Sequence, residues 1–205
     1  MDIAWIFFDV GSTLVDETRA YDHRARDMLA KTDIPFSVFD RKRLELAKQG
    51  FDGNAAAIDY FGLEKTPWHS EDEVPYADAA ETLAALKARG YKLGIIANQA
   101  PGTEERLAAW GLLEYFDVIA PSAELGVAKP GRQIFEKAFA LAGCLPHNCV
   151  MVGDRLDNDI RPAKNLGMKT VWLRNGLAAC QPLALGQDIA DHAIHTLSDL
   201  KEIFP

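Results

Sequence analysis

The chain has 205 residues, of which 48% are hydrophobic and 25% charged, with 22 basic and 30 acidic side chains and a formal net charge of −8. This balance is typical of a globular protein with one ordinary domain plus a small insertion, and it excludes a disordered chain. No apolar run approaches the ~20 residues needed to cross a bilayer, and an acidic surface repels nucleic-acid backbones, so we expect neither a membrane span nor a nucleic-acid partner.

The first predicted element is a buried strand over residues 4–8. This apolar run is too short for the hydrophobic region of a signal peptide, and no basic residue precedes it. The 3 cysteines of the chain include no CxxC pair, which suits free thiols in a reducing compartment. We therefore expect a cytoplasmic protein.

Further apolar runs predict strands over 93–97, 116–120, 149–152 and 170–173, with a weaker one over 192–195. Most are continuous apolar segments, as expected for strands that helices cover on both faces. Helical patterns lie between them, over 77–89, 104–110, 133–142 and 159–166. Regular alternation of strand and helix predicts an α/β fold with a doubly wound parallel sheet.

The stretch from 16 to 75 interrupts this alternation. It contains no convincing strand, only helical patterns over 19–31, 39–49 and 54–60. Because long unstructured connections are rare inside compact domains, this segment is expected to be folded. We predict a small all-α cap domain at 16–75, standing over a core domain formed by 1–15 and 76–205.

Polar residues follow the predicted strands at their carboxyl ends. In open parallel sheets these ends meet at one edge, where ligands bind. Carboxylates, an amide and a lysine are therefore expected to converge there. These residues are Asp9, Gly11 and Thr13 after the first strand, Asn98 after the second, Lys129 after the third, and Asp154 and Asp159 after the fourth.

The order of these groups resembles the motifs of the haloacid dehalogenase (HAD) superfamily. Each match alone is weak, because dipeptides such as Gly-Asp and Lys-Pro are common, but the full set in the right order is specific. The resemblance spans 9–159 and implies a Rossmann-like core with a cap after the first strand. The matching residues are Asp9 with Thr13, then Asn98, then Lys129-Pro130, then Gly153-Asp154 with Asp159.

The resemblance also implies a magnesium-dependent hydrolase that acts on a small phosphorylated molecule. Mg²⁺ offsets the charge of a phosphate ester so that a carboxylate can approach it. The attacking group forms an aspartyl-phosphate, which water then hydrolyses. The implied roles are nucleophile for Asp9, metal ligands for Asp9, Asp154 and the carbonyl of Gly11, phosphoryl binding for Thr13, Asn98 and Lys129, and orientation of Lys129 for Asp159.

Two positions depart from the pattern of the family's phosphatases. Gly11 stands where a second aspartate normally acts as general acid and base, and loss of such a group typically costs ~10²–10⁴ in rate. Ala97 stands where a hydroxyl normally binds the phosphoryl group. Catalytic efficiency is therefore in question, and the nearest candidates for a substitute acid are Asp16 and Glu17.

Three functions remain open on the sequence. The first is a phosphatase with modest or specialised activity, and the second is a degenerate relative that binds a phosphorylated ligand or a partner protein. The third is a haloacid dehalogenase, although those enzymes resemble the first motif with a tyrosine in place of Gly11 and lack the Gly-Asp metal motif. The substrate and the oligomeric state stay undetermined. Asp157 is expected simply to begin a helix, and Arg155, His23 and His69 to serve the surface or packing.

Overall fold

The structure, a computed structural model, describes residues 3–182 and 190–205. In chain order its strands are β1 (Trp5–Phe8), β2 (Val15–Asp16), β3 (Val74–Pro75), β4 (Lys92–Ala97), β5 (Val118–Pro121), β6 (Cys149–Gly153), β7 (Lys169–Leu173) and β8 (His192–Ile194). Its α-helices are α1 (Thr18–Leu29), α2 (Phe36–Lys48), α3 (Gly53–Phe61), α4 (Ala79–Ala88), α5 (Thr103–Ala109), α6 (Ser122–Leu125), α7 (Arg132–Ala142), α8 (Arg161–Asn165) and α9 (Leu200–Ile203).

One parallel sheet with the strand order β5-β4-β1-β6-β7-β8 forms the core. The chain runs from β1 outward through β4 to β5, then crosses to β6 and continues to β8. This reversal beside β1 leaves a crevice at the carboxyl ends of β1, β4 and β6, where open α/β sheets bind their ligands. The predicted α/β fold with a doubly wound parallel sheet is confirmed.

Helices cover both faces of the sheet, which explains why its central strands are apolar throughout. In β1, Ile6 and Phe8 pack in one core cluster together with Leu83 of α4. The alternate residue Phe7 packs in a second cluster together with Phe135 of α7. Successive side chains of a strand point to opposite faces, so a strand buried on both sides needs no polar positions.

The largest departure from the predicted helices lies after β6. The sequence predicts one helix over 159–166, whereas the structure has a π-helical turn at Leu156–Ile160 that leads into the short helix α8. In this wider turn the backbone N–H groups of Asp159 and Ile160 both donate to the carbonyl of Arg155, at 2.9 and 3.2 Å. Single π-helical turns of this kind are frequent at functional sites.

The insertion after β1 is helical, as predicted, and contains α1, α2 and α3. It has a small apolar core of its own that includes Met28, Phe39 and Ile58. Helix α3 begins where the side chain of Asp52 accepts a hydrogen bond from the backbone N–H of Ala55 at 3.1 Å. Such a cap satisfies one of the donors that a helix leaves free at its first turn. The domain limits at 16 and 75 stay a prediction.

The absence of strands between 16 and 75 is a prediction that proves wrong at both ends. Strand β2 pairs antiparallel with β3, with Asp16 opposite Val74 and Val15 opposite Pro75. Strands of two residues are too short to show a periodicity in the sequence. This ribbon closes the base of the insertion and holds the segment that follows β2 next to the loop after β1.

No helix within residues 3–182 and 190–205 is long and apolar enough to cross a membrane.

Candidate active site

Three buried carboxylates meet at the carboxyl edge of the sheet. Asp9 follows β1, Asp154 follows β6, and Asp159 lies in the π-helical turn; their exposed fractions are 8%, 5% and 0%. One carboxylate oxygen from each lies within 4.8 Å of the others. Since β1 and β6 are adjacent parallel strands, the residues that follow them must come close together.

A buried lysine bridges two of these acids. The Nζ atom of Lys129 lies 2.7 Å from Oδ1 of Asp9 and 2.6 Å from Oδ1 of Asp159. Burial lowers the pKa of Lys129, but the adjacent charges of Asp159 and Asp9 outweigh this and raise the pKa above its ordinary value. Lys129 is therefore a fixed positive charge at the site.

The carboxylates carry more negative charge than Lys129 offsets. Burial first, and then the charges of Asp159 and Asp9, raise the pKa of Asp154 well above its ordinary value. Burial also raises the pKa of Asp159 to about 6, although Lys129 acts in the opposite direction. Carboxylates whose charged form is disfavoured in this way gain stability from a cation placed among them.

The available oxygen atoms fit a divalent cation. The carboxylate of Asp159 is already engaged, because it accepts from Lys129 Nζ at 2.6 Å and from the backbone N–H of Arg155 at 3.1 Å. Asp9 and Asp154 instead line a cavity of about 170 Å³, and Gly11 lines it with them. Hard cations such as Mg²⁺ take one or two carboxylates and keep several water molecules. The predicted ligands are thus brought together in a suitable space.

The two other predicted phosphoryl-binding residues have different surroundings. Asn98 is bonded at both ends of its amide to the backbone of Lys129: it accepts from the N–H at 2.8 Å and donates to the carbonyl at 2.9 Å. Asn98 thus fixes the loop that carries the lysine. The hydroxyl of Thr13 is fully buried and has no hydrogen-bond partner among the described residues. Their roles in binding a phosphoryl group stay predictions.

The carboxyl group of Glu17 lies against Gly11, which is in the loop after β1. A Cβ atom on Gly11 would lie 2.5 Å from Glu17 Oε2 and 2.6 Å from its carboxyl carbon. The hydroxyl of Ser12 is hydrogen-bonded to the same carboxyl group. Burial, followed by the charges of Asp9 and Glu73, raises the pKa of Glu17 to about 8. Glu17 thus takes the space that a side chain at position 11 would fill.

A larger cavity of about 420 Å³ lies between the cap and the core. Its lining includes Glu17, Tyr21 and Arg24 from the start of the insertion, Trp68 and Glu73 from its end, and Arg106 from α5. The rings of Tyr21 and Trp68 meet edge to face with their centroids 4.8 Å apart, and Trp68 Nε1 donates to Glu73 Oε1 at 2.7 Å. Residues of the cap thus form a wall of this cavity.

Sequence reasoning missed the contact of Arg155 with the cap. Its guanidinium group donates to Asp52 at 2.6 Å and to Asp157 at 2.7 Å. Arg155 therefore joins the segment that follows β6 to the start of α3. No motif in the sequence marks this contact.

His23 and His69, both in the insertion, stack on each other with their ring centroids 3.5 Å apart. His69 also pairs with Asp27 and Glu71 at 2.7 and 2.9 Å.

A substitution at Gly153 should disturb the site directly. A Cβ atom there would lie 2.5 Å from both Cβ and Cγ of Asp159, whose side chain is fully buried. We expect Gly153→Ala to lower the free energy of unfolding by about 1–3 kcal/mol through overpacking, and to lower activity by moving Asp159 away from Lys129. Urea unfolding and turnover measure the two effects. Unchanged values for both would contradict the packing described for the π-helical turn.

Comparisons with known proteins place the chain among similar sequences and folds. A model of the haloacid dehalogenase-like hydrolase family matches residues 3–167. The glyceraldehyde 3-phosphate phosphatase of Pyrococcus furiosus is 32% identical over 97% of this chain and 91% of its own. A HAD phosphatase from Thermococcus onnurineus shares the fold with a TM-score of 0.66 and 28% identity over 99% of this chain and 97% of its own.

A more distant structure shares the fold and holds a metal ion. YfnB of Bacillus subtilis, solved bound to magnesium, has a TM-score of 0.70 and 19% identity, over 100% of this chain and 99% of its own. The fold, the buried acids and these matches define a hydrolase with an α/β core and a helical insertion. The chain belongs to the haloacid dehalogenase-like hydrolases, and the predicted assignment to the phosphatases of that superfamily is confirmed.

Proposed function

We propose that this phosphatase hydrolyses a small phosphorylated metabolite, with Asp9 as the nucleophile and Mg²⁺ as the cofactor. The observation that supports it most strongly is that three buried carboxylates lie together and that Lys129 pairs with two of them. Asp9 and Asp154 would hold the ion together with the carbonyl of Gly11. When bound, the ion supplies positive charge against the phosphate oxygens.

The chain's own residues account for the rest of the reaction. One carboxylate oxygen of Asp9 attacks phosphorus, and the bond from phosphorus to the substrate's alcohol oxygen breaks. Lys129 stabilises the charge that develops on the phosphoryl oxygens, and Asp159 and Asn98 position Lys129 from its side-chain and backbone ends. Water then attacks the phosphorus of the aspartyl-phosphate, which returns Asp9 to its carboxylate form.

The cavity between cap and core favours a small, polar organic group. Its volume of about 420 Å³ is at the low end for ligand sites. Arg24, Arg106 and Glu73 in its wall offer charged and hydrogen-bonding groups. The relative from Pyrococcus furiosus, a glyceraldehyde 3-phosphate phosphatase, acts on a molecule of this kind. We infer a short hydroxylated or carbonyl-bearing phosphate monoester as the substrate class.

Neither the binding-protein nor the dehalogenase alternative has a specific observation in its favour.

A substrate panel tests the proposed function. Short-chain alkyl phosphates, hexose phosphates and nitrophenyl phosphate are assayed with Mg²⁺ and again with excess chelator. We expect turnover that depends on the ion and is highest for the short-chain compounds. Turnover that survives the chelator, or no turnover on any compound, would refute the proposal.

Trp68 is expected to set the size of the substrate. Its ring packs on Tyr21, and its Nε1 atom donates a hydrogen bond to Glu73. Trp68→Ala therefore enlarges the cavity and removes a contact from each of these two wall residues. We predict that the preference for short-chain over hexose phosphates, as a ratio of kcat/KM, falls about tenfold or more. The matched control is Tyr60→Ala, which removes a cap aromatic that is 62% exposed and outside the cavity wall. Equal ratios in both variants would show that Trp68 does not select the substrate.

A further inference from the structure

The proposed reaction needs a proton that Gly11 cannot supply. When an alkyl phosphate is cleaved, its oxygen leaves as a strongly basic alkoxide unless an acid protonates it. Such an acid is required only if the proposed function holds, so its assignment rests on that function. The candidates for it are the carboxyl groups at the cavity that Asp9 and Asp154 line.

Glu17 is placed beside Gly11 by the ribbon at the base of the insertion. Strand β2 ends at Asp16, and Glu17 is the next residue, at the start of α1. The carboxyl group of Glu17 makes no capping hydrogen bond to that helix. That group instead lies 2.6 Å from the point where a Cβ of residue 11 would stand.

Glu17 also lies where the two cavities adjoin. It lines the small cavity together with Asp9 and Asp154, and it lines the larger cavity together with Arg24 and Trp68. Suppose that the phosphoryl group of a phosphate monoester occupies the small cavity and its organic part occupies the larger one. The bridging oxygen of the ester then lies at the boundary between the two cavities. A proton donor for the leaving oxygen belongs at this boundary.

We propose that Glu17 is the general acid and base of this enzyme, and that its carboxyl group replaces the side chain that Gly11 lacks. As Asp9 bonds to phosphorus and the ester bond breaks, the Glu17 carboxyl group gives its proton to the departing oxygen. As water then attacks the aspartyl-phosphate, the Glu17 carboxylate takes a proton from that water. The sum is ester plus water giving alcohol plus phosphate, with Glu17 regenerated.

Asp16, the other candidate from the sequence, has a structural task. Its carboxylate accepts the backbone N–H of Thr18 at 2.8 Å, and its backbone pairs with Val74. It is absent from the lining of both cavities. Asp16→Asn keeps an acceptor oxygen for Thr18, so it is a matched control that removes a neighbouring acid and leaves the fold intact.

The first experiment compares Glu17→Gln with Asp16→Asn on two substrates. A short-chain alkyl phosphate needs a proton for its leaving group, whereas nitrophenyl phosphate does not. Since kcat/KM covers the steps up to departure of the alcohol, we expect Glu17→Gln to lower it ~10²–10⁴-fold for the alkyl substrate and less than about tenfold for the nitrophenyl one. Glu17→Gln should also release nitrophenolate in a stoichiometric burst, because the step in which water attacks is slowed. Asp16→Asn should match the unchanged protein.

The second experiment moves the acid back to position 11. In Gly11→Asp alone, two carboxyl groups compete for one space, and we expect no gain in turnover. Glu17→Ala empties that space, so the double variant Gly11→Asp/Glu17→Ala should exceed Glu17→Ala at least about tenfold in kcat/KM for the alkyl phosphate. Thermal melting of each variant verifies that it is folded.

The outcomes separate this inference from the proposed function. Equal losses of Glu17→Gln on both substrates, no loss on the alkyl substrate, or no recovery in the double variant would each overturn the role of Glu17. Turnover that persists in Asp9→Asn would instead overturn the proposed function, whatever the Glu17 variants do. If Asp9→Asn is inactive and Glu17→Gln shows no selective loss, only the assignment of Glu17 fails.

Discussion

Asp9→Asn should abolish turnover of every phosphate monoester that the unchanged protein cleaves, with kcat lower by at least about 10⁴-fold. The amide has nearly the shape of the carboxylate, but it is a poor nucleophile and carries no charge for a cation. The loss should be the same for alkyl and nitrophenyl substrates, because both require attack on phosphorus. Steady-state assays with Mg²⁺ measure it.

A matched acid on the same sheet is the control for this variant. Asp117 accepts the backbone N–H of Leu93 at 2.9 Å, next to the amino ends of β4 and β5, far along the strands from Asp9. Asp117→Asn keeps an acceptor oxygen and should leave kcat unchanged. If Asp9→Asn retained as much activity as Asp117→Asn, Asp9 would not be the nucleophile.

Lys129→Met should have the second largest effect, on stability as well as activity. Its ammonium group is buried between Asp9 and Asp159, so removal leaves two buried carboxylates without their partner. We expect the free energy of unfolding to fall by about 3–5 kcal/mol. Loss of positive charge from the phosphoryl oxygens should lower kcat by about 10²–10³-fold in the fraction that is folded. Urea unfolding and turnover below the transition measure the two.

Lys137 provides the comparison for this substitution. It lies on α7, and its Nζ atom donates to the carbonyl of Leu125 at 2.7 Å in an exposed setting. Exposed contacts of this kind contribute little, so Lys137→Met should change the free energy of unfolding by less than about 1 kcal/mol. Similar losses for the two lysine variants would mean that Lys129 does not hold the acids together.

The convergence of the acids could be predicted from the sequence because it follows from strand topology. Continuous apolar runs indicate strands buried on both faces, and residues that follow adjacent parallel strands must meet at one edge. Asp9 and Asp154 follow β1 and β6, which pair directly. Their proximity therefore needs only the order of strands, and no detail of side-chain packing.

The surroundings of Glu17 could not be predicted in the same way. Its position depends on the ribbon of β2 and β3, whose strands of two residues are too short to show a pattern in the sequence. It also depends on the space that Gly11 leaves by having no side chain. The paired bonds of Asn98 to Lys129 and the contact of Arg155 with Asp52 depend likewise on tertiary packing. The sequence nominates Asn98 and Glu17 as candidate site residues but not their partners, and it does not single out Arg155.

Chemical trapping of the covalent intermediate tests the role of Asp9 most directly. The enzyme is mixed with nitrophenyl phosphate and Mg²⁺ and quenched during turnover with borohydride, which reduces an acyl phosphate to an alcohol. We predict that mass spectrometry of the digested protein finds homoserine at position 9, and none in a sample without substrate. An unmodified position 9 under active turnover, or reduction at another carboxylate, would contradict attack by Asp9.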